Sequence, residues 1–293
     1  MNQHGKILVG IDFQKGSMTA LRQAIRIGRW NRASVMAAHI VKPVTSVDPL
    51  DALAYMAAGV DSAMLKIADK SWKTLAATMP ETEGVFFEAR LDSVVGGLTH
   101  KAGTEGFSLL VLGAQEDGAG PGAGPIATGC VRRAHCDVLL VQGGHDKAYT
   151  TVVACVDFSL TSRRALSQAM RIAAQDNAKL VVVHAFTSPW KRDDFPAATK
   201  DVQEEAFRDA LLARLKAFCE TEPHEAQFLQ PTYVLVDLDG RGYGIGAYAR
   251  RIGADLVVLG KRGRTNLREI FLGTTAERIL REAPCSALVV HPV

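Results

Sequence analysis

The chain has 293 residues, which is the length of about two ordinary domains. Apolar residues make up 47% and charged residues 22%, a composition typical of a folded globular protein and not of a disordered or collagen-like chain. The net charge of +3 is too small to indicate a nucleic-acid-binding protein, and no apolar run approaches the roughly 20 residues of a membrane span.

The N-terminal segment and the cysteines indicate the compartment. The first residues, MNQHGKILVGIDF, lack the apolar stretch and cleavage site of a signal peptide. The five cysteines are an odd number, lie far apart and include no Cys-x-x-Cys pair, so a disulfide scaffold and a zinc ribbon are both disfavoured. We therefore expect a cytoplasmic protein.

The sequence repeats itself after 145 residues. KILVGIDFQKGSMTALRQAIRIGRWNRASVMAAHIV, which begins at Lys6, aligns without a gap with TVVACVDFSLTSRRALSQAMRIAAQDNAKLVVVHAF, which begins at Thr151. Later segments repeat too: FSLLVLG resembles ADLVVLG, and CDVLLVQ resembles CSALVVH. This pattern predicts a tandem duplication with domains over residues 1–145 and 146–293.

Each copy alternates predicted strands and helices. The first copy follows the order of the second, with a longer second helix over about 50–78. In the second copy, continuous apolar runs rich in β-branched residues indicate buried parallel strands, and apolar positions along one face indicate helices. Its predicted strands are 151–156, 180–186, 232–236, 255–260 and 287–291, and its helices are 161–175, 201–218, 245–252 and 274–282. Both copies are therefore predicted to be doubly wound α/β domains with a mostly parallel sheet and helices on both faces.

A glycine-rich loop follows the fourth predicted strand of the second copy. In a doubly wound sheet, ligands bind beyond the carboxyl ends of the strands, where the strand order reverses. The loop reads Gly260-x2-Gly263-x9-Gly273-Thr274 and carries four cations: Lys261, Arg262, Arg264 and Arg268. Glycines and a helix N-terminus let backbone N–H groups approach phosphate. A mobile surface loop with solvated charges would show the same residues, so these residues alone leave both interpretations open.

The duplication, the VDFS strand end and this loop resemble the universal stress protein family, whose ATP-binding signature is G-x2-G-x9-G-[ST]. The resemblance covers nearly the whole chain and implies, in each copy, a five-stranded parallel sheet of order 3-2-1-4-5. It assigns the base and ribose of ATP to Asp157, Ala185, Leu259 and Gly260, and the phosphates, with or without Mg²⁺, to Gly263, Gly273, Thr274 and Thr275. Asp157 could instead be a turn or helix-cap residue.

The first copy departs from the signature. Gly124 aligns with Gly273, but Pro125 replaces the following threonine and nothing matches Gly263. Proline removes an N–H group and a hydroxyl from any phosphate site, and Glu116 and Asp117 replace the basic cluster. We expect this copy to bind nucleotide weakly, differently or not at all.

The function that these features favour is a nucleotide-binding stress-response or regulatory protein. A slow ATPase or phosphotransferase using Asp157 and magnesium, and an interaction scaffold with a vestigial site, are the alternatives. No P-loop, G-x-S-x-G or H-E-x-x-H motif is present, so we predict no catalytic residue and no protein-held metal. His39 and His184, at equivalent strand positions, are predicted to be structural.

The assembly is implied by the resemblance. The fifth strand of each copy lies at a sheet edge in the family order, and single-domain relatives dimerise through that edge. The two copies are therefore expected to form an internal pseudo-dimer. A homodimer of the whole chain is a further possibility. We expect neither a nucleic acid nor a membrane as a partner.

Overall fold

The computed structural model describes residues 5–43, 52–114, 122–188, 190, 200–220, 229–238, 244–263 and 272–292. The chain divides into two compact units, Met1–Lys147 and Ala148–Val293. Among the helices in these ranges, none is long and apolar enough to cross a membrane.

The first unit is a parallel sheet with connecting helices. Its elements are β1 (Lys6–Gly10), α1 (Lys15–Asn31), β2 (Ser34–Val41), α2 (Ala52–Thr78), β3 (Phe86–Leu91), α3 (Val94–Thr104), β4 (Leu109–Gly113), α4 (Gly124–Arg133) and β5 (Asp137–Val141). Strand β1 lies between β2 and β4, all pairs are parallel, and the order is β3-β2-β1-β4-β5. The strand order therefore reverses between β1 and β4.

The second unit repeats this architecture. Its elements are β6 (Thr151–Cys155), α5 (Leu160–Asp176), β7 (Lys179–Phe186), α6 (Lys200–Glu220), β8 (Thr232–Asp237), α7 (Ile245–Arg251), β9 (Leu256–Gly260), α8 (Thr274–Glu282) and β10 (Ser286–Val290). The parallel strands have the order β8-β7-β6-β9-β10. Both units thus confirm the predicted fold class and the order 3-2-1-4-5. The predicted bounds in this unit agree with the structure to within two residues.

Local sequence signals explain where helix α5 begins and ends. At the start of α5, the Ser159 hydroxyl accepts a hydrogen bond from the backbone N–H of Ser162, at 3.0 Å. At its end, Asn177 adopts the left-handed conformation with φ of 51°, which asparagine tolerates better than most residues. Between them, Ala165, Leu166 and Ala169 are fully buried on the face toward the sheet.

A buried cation lies in the interior of the first unit. Lys101 on α3 is only 2% exposed. Its Nζ lies 2.6 Å from Oε2 of Glu88 on β3 and 2.6 Å from Oε1 of Glu105. Burial by itself lowers the pKa of Lys101, but hydrogen bonds and charge interactions with Glu105 and Glu88 outweigh burial and raise the pKa above its usual value. The cluster therefore favours the charged lysine in the folded state.

We expect Lys101→Met to destabilise the first unit by about 1–3 kcal/mol at pH 7, because it leaves the half-buried carboxylate of Glu88 and the exposed carboxylate of Glu105 without their shared cation. The folded-state pKa is raised, so the stabilisation is fully present below the usual lysine pKa of about 10.4 and is lost as the pH rises through the folded-state value. Urea unfolding at several pH values measures both effects. Lys66→Met, at an exposed lysine of α2, is the control. Equal stability of the two variants would contradict the prediction.

Candidate functional site

Three segments predicted to meet a ligand lie at one edge of the second unit's sheet. Strand β6 pairs in parallel with β7 on one side and β9 on the other. The carboxyl ends of all three therefore lie together. Asp157 comes shortly after the end of β6, Ala185 lies next to the last residue of β7, and Gly260 is the last residue of β9. The strand order reverses between β6 and β9, which is where ligands bind in open α/β sheets.

Asp157 is held by its own turn and lies against the glycine loop. Its Oδ1 accepts a hydrogen bond from the backbone N–H of Ser159, at 3.0 Å, and Phe158 between them has a left-handed φ of 65°. A Cβ atom on Gly263 would lie 2.6 Å from Oδ2 of Asp157. Only glycine fits beside the carboxylate without moving it. Asp157 thus makes the contact expected of a turn residue, and it also lies against the glycine signature.

The two ends of the glycine loop meet through the backbone. The N–H of Gly273 donates to the carbonyl of Lys261 at 2.9 Å, and the N–H of Lys261 donates to the carbonyl of Val290 at 2.8 Å. A Cβ on Gly273 would lie 3.6 Å from the nitrogen of Gly263. These contacts bring Gly263 and Gly273 together beside Asp157. The remainder of the loop, with Arg264 and Arg268, lies outside the described residues.

Helix α8 begins at this point. Gly273 precedes it in an extended conformation and provides no side-chain cap. Thr274 and Thr275 occupy the first turn and are exposed. The first N–H groups of a helix have no acceptor within the helix and, with the helix dipole, favour an anion. The buried Lys261 and the half-buried Arg262 lie in the same loop. This end of the cleft therefore has the chemistry of a phosphate site.

The strand residues assigned to the base and ribose differ in which of their atoms a ligand could contact. Ala185 is half-buried at the end of β7, where it pairs with Val236 of β8. Leu259 is 1% exposed, so its side chain belongs to the core and a ligand contact would have to come from its backbone. Gly260 packs against α5, since a Cβ there would lie 2.9 Å from Cγ2 of Thr161. Nothing local in the sequence signals this contact between Thr161 and Gly260.

His184 has a structural role. Its Nδ1 lies 2.7 Å from the carbonyl oxygen of Val156, and because a carbonyl only accepts, Nδ1 donates. In the first unit, Nδ1 of His39 makes the same contact with the carbonyl of Ile11, at 2.8 Å. Each ring fastens a strand to the segment that carries Asp12 or Asp157, which is a structural contact of the kind that the sequence predicts without naming the partner.

An arrangement of aromatic rings and arginines adjoins Asp157. The Phe158 ring lies 4.5 Å from the His184 ring, and the guanidinium of Arg214 on α6 lies 4.2 Å from the centre of Phe158. Arg163 on α5 lies 4.1 Å from the centre of the Phe218 ring. No local pattern predicts these cation–π contacts, because they join segments that are distant in sequence.

The first unit holds a cavity at the equivalent place. It has a volume of about 540 Å³ and is lined by the ends of β1, β2 and β4 and the starts of α1 and α4. Asp12 corresponds to Asp157, and its Oδ1 accepts hydrogen bonds from the Ser17 hydroxyl at 2.6 Å and the Gln14 N–H at 2.9 Å. Pro125 and Ile126 line the cavity where Thr274 and Thr275 stand in the second unit. Glu116 and Asp117 lie outside the described residues.

Metal-binding clusters are absent from the described part of the chain, in which no group of three or more histidine, cysteine, aspartate or glutamate side chains could hold an ion.

Comparison with known proteins identifies the family. The sequence model of the Universal stress protein family matches residues 4–142 and again residues 148–291. A universal stress protein of Mycolicibacterium smegmatis is 27% identical over 98% of this chain and 97% of its own length. The crystal structure of a universal stress protein from Archaeoglobus fulgidus superposes with a TM-score of 0.66 at 16% identity and covers 99% of both chains. A universal stress protein solved in complex with cAMP covers half of this chain at 25% identity, with a TM-score of 0.37. Because the family model matches both halves in turn, the chain belongs to the universal stress protein family and carries two of its domains in tandem.

Proposed function

We propose that this protein is a nucleotide-binding stress-response regulator, in which ATP bound by the second unit controls conformation or partner choice. The observation that carries the proposal is the meeting of Asp157, Gly263 and the start of α8 at the point where the strand order reverses.

The site divides into two chemical halves. A carboxylate only accepts hydrogen bonds, so Asp157 suits a ribose hydroxyl or the adenine amino group, beside Ala185, Gly260 and the backbone of Leu259. The phosphate half consists of backbone N–H groups and hydroxyls that suit an anion, with or without Mg²⁺. Its residues are Gly263, Gly273, Thr274 and Thr275. Lys261 and Arg262 add positive charge to this half.

Mass spectrometry of small molecules released from the denatured, freshly purified protein tests the proposal directly. We expect an adenine nucleotide, and calorimetry on the emptied protein should show one dominant ATP site per chain with micromolar affinity, which corresponds to about 8 kcal/mol. If the protein releases no nucleotide and shows no heat of ATP binding, the result contradicts the proposal and favours an interaction scaffold with a vestigial site. A second result would favour the ATPase alternative over a regulator. The protein would turn over ATP faster than the uncatalysed rate, and Asp157→Asn would abolish that turnover.

We also propose that the two units form an internal pseudo-dimer through their last strands and that the protein is cytoplasmic. Strands β5 and β10 each end the sheet of their own unit, and both are rich in valine and leucine. An apolar strand at a sheet edge offers unpaired N–H and C=O groups and invites pairing.

The cysteines support the cytoplasmic part of this proposal. The thiols of Cys130, Cys155 and Cys285 are buried, and burial raises the pKa of each to about 12, so the chain keeps its cysteines unreactive.

A further inference from the structure

The first unit's cavity is large enough to hold a ligand although its loop has lost the phosphate signature. Its volume of about 540 Å³ lies within the roughly 300–1,000 Å³ of small-molecule sites. A little more than half of its wall surface is apolar, and the apolar side chains include Ile11, Ile40, Val94, Leu98 and Leu112. Such walls suit a flat or aliphatic ring.

One end of the cavity accepts hydrogen bonds. Asp12 lines it, and the contacts from Ser17 and Gln14 both go to Oδ1 of that carboxylate. A carboxylate can accept about four hydrogen bonds, so capacity remains for a ligand. Because a carboxylate does not donate, the ligand group that meets it must be a donor, such as a hydroxyl or an amine.

The other end of the cavity offers little to phosphate. Helix α4 begins with Gly124 and Pro125, and proline has no N–H to donate. Ile126, which is 44% exposed, lines the cavity where the second unit presents a threonine hydroxyl. Among the described lining residues, Asp12 and Lys15 carry opposite formal charges that cancel. About four negative charges on ATP would therefore meet one lining cation, Lys15, whose charge the Asp12 carboxylate already offsets.

We propose that the first unit binds an uncharged ligand of the nucleoside type, with its ring against the apolar walls, its hydroxyl groups toward Asp12, and no phosphate chain. The two units would then recognise different ligands. This inference goes beyond ATP binding by the second unit and does not depend on it, because it rests on residues of the first unit alone.

Calorimetry with adenosine and ATP as probes tests the inference in an Asp157→Asn, Gly273→Val double variant, whose second cleft is disabled. We expect adenosine to bind at least about tenfold more tightly than ATP, which corresponds to 1.4 kcal/mol. Adding Asp12→Asn should weaken adenosine binding by about tenfold or more, because the amide keeps one oxygen for Gln14 and Ser17 but replaces the other acceptor with a donor. Equal or tighter binding of ATP, no binding of adenosine, or no effect of Asp12→Asn would overturn the proposal.

A gain of phosphate binding tests the apolar end of the cavity. In the same background, Pro125→Thr with Ile126→Thr restores the residues that begin α8, and we expect it to improve ATP affinity relative to adenosine by about tenfold. An unchanged ratio would contradict the role given to Pro125 and Ile126. Should the double variant fail to fold by circular dichroism, crystals of the unaltered protein soaked with adenosine decide the matter. Density against Asp12 supports the proposal, and an empty first cleft refutes it.

Discussion

Gly273→Val should abolish ATP binding by the second unit while the protein remains folded. Gly273 has a φ of −62°, which any residue can adopt, and a Cβ there would lie 3.4 Å from the carbonyl oxygen of Lys261, an ordinary contact. Valine adds two further methyl groups to a Cβ that already lies 3.6 Å from the nitrogen of Gly263 and directly before the first turn of α8. The proposed site places the phosphates of ATP against this backbone, so we expect micromolar affinity to weaken by about a hundredfold or more, or 2.7 kcal/mol.

Calorimetry measures this loss of affinity, and two control variants show whether it is specific to a branched side chain at position 273. Gly273→Ala adds only the tolerated carbon and should retain part of the affinity. Gly5→Val places the same side chain at a position with no neighbouring atom within 4 Å, before β1 at the amino end of the first unit's sheet, and should bind ATP normally. Unaltered affinity in Gly273→Val would rule out the assignment of this loop to phosphate.

Deletion of residues 287–293 should destabilise the second unit by several kcal/mol. Strand β10 pairs with β9 along its whole length, and the carbonyl of Val290 accepts a hydrogen bond from the N–H of Lys261. Leu288 and Val289 are each 2% exposed. Removing the strand therefore loses apolar burial, at roughly 1.5–3 kcal/mol for each large side chain, together with the strand pairing and the anchor of the glycine loop.

Urea unfolding measures the loss, and deletion of Val293 alone is the control. If the truncated chain does not fold, Leu288→Ala provides a milder test, with an expected cost of about 2–5 kcal/mol. An unchanged midpoint and slope would mean that β10 does not stabilise the protein.

The same measurement tests the pseudo-dimer. Trp190 lies in the second unit, whereas Trp30 and Trp72 lie in the first, so a Trp190→Phe background reports the first unit by fluorescence. The pseudo-dimer proposal predicts that the first unit's transition also moves when residues 287–293 are removed. A shift confined to the second unit would favour two independent domains on a linker.

The sequence alone determined the repeat, the fold class and the order of the helices and strands. These depend on local patterns that each segment carries by itself. The apolar β-branched run beginning at Thr151 predicts a buried strand, and the apolar positions over 161–175 predict the helix that the structure shows as α5. Recognition of the glycine signature also needed no structure, because its residues are close in sequence. The proposed roles of the individual site residues remain predictions.

Only the tertiary structure decided how distant residues meet. The contact of Gly263 with Asp157, the packing of Thr161 on Gly260 and the position of Arg214 over Phe158 all join segments that no local pattern relates. The first unit shows the difference most clearly. Its sequence predicts the loss of phosphate chemistry at Pro125, but not that a cavity of about 540 Å³ remains beside Asp12. A cavity's volume is set by how side chains from several strands and helices fill the space between them, and that depends on their packing in three dimensions.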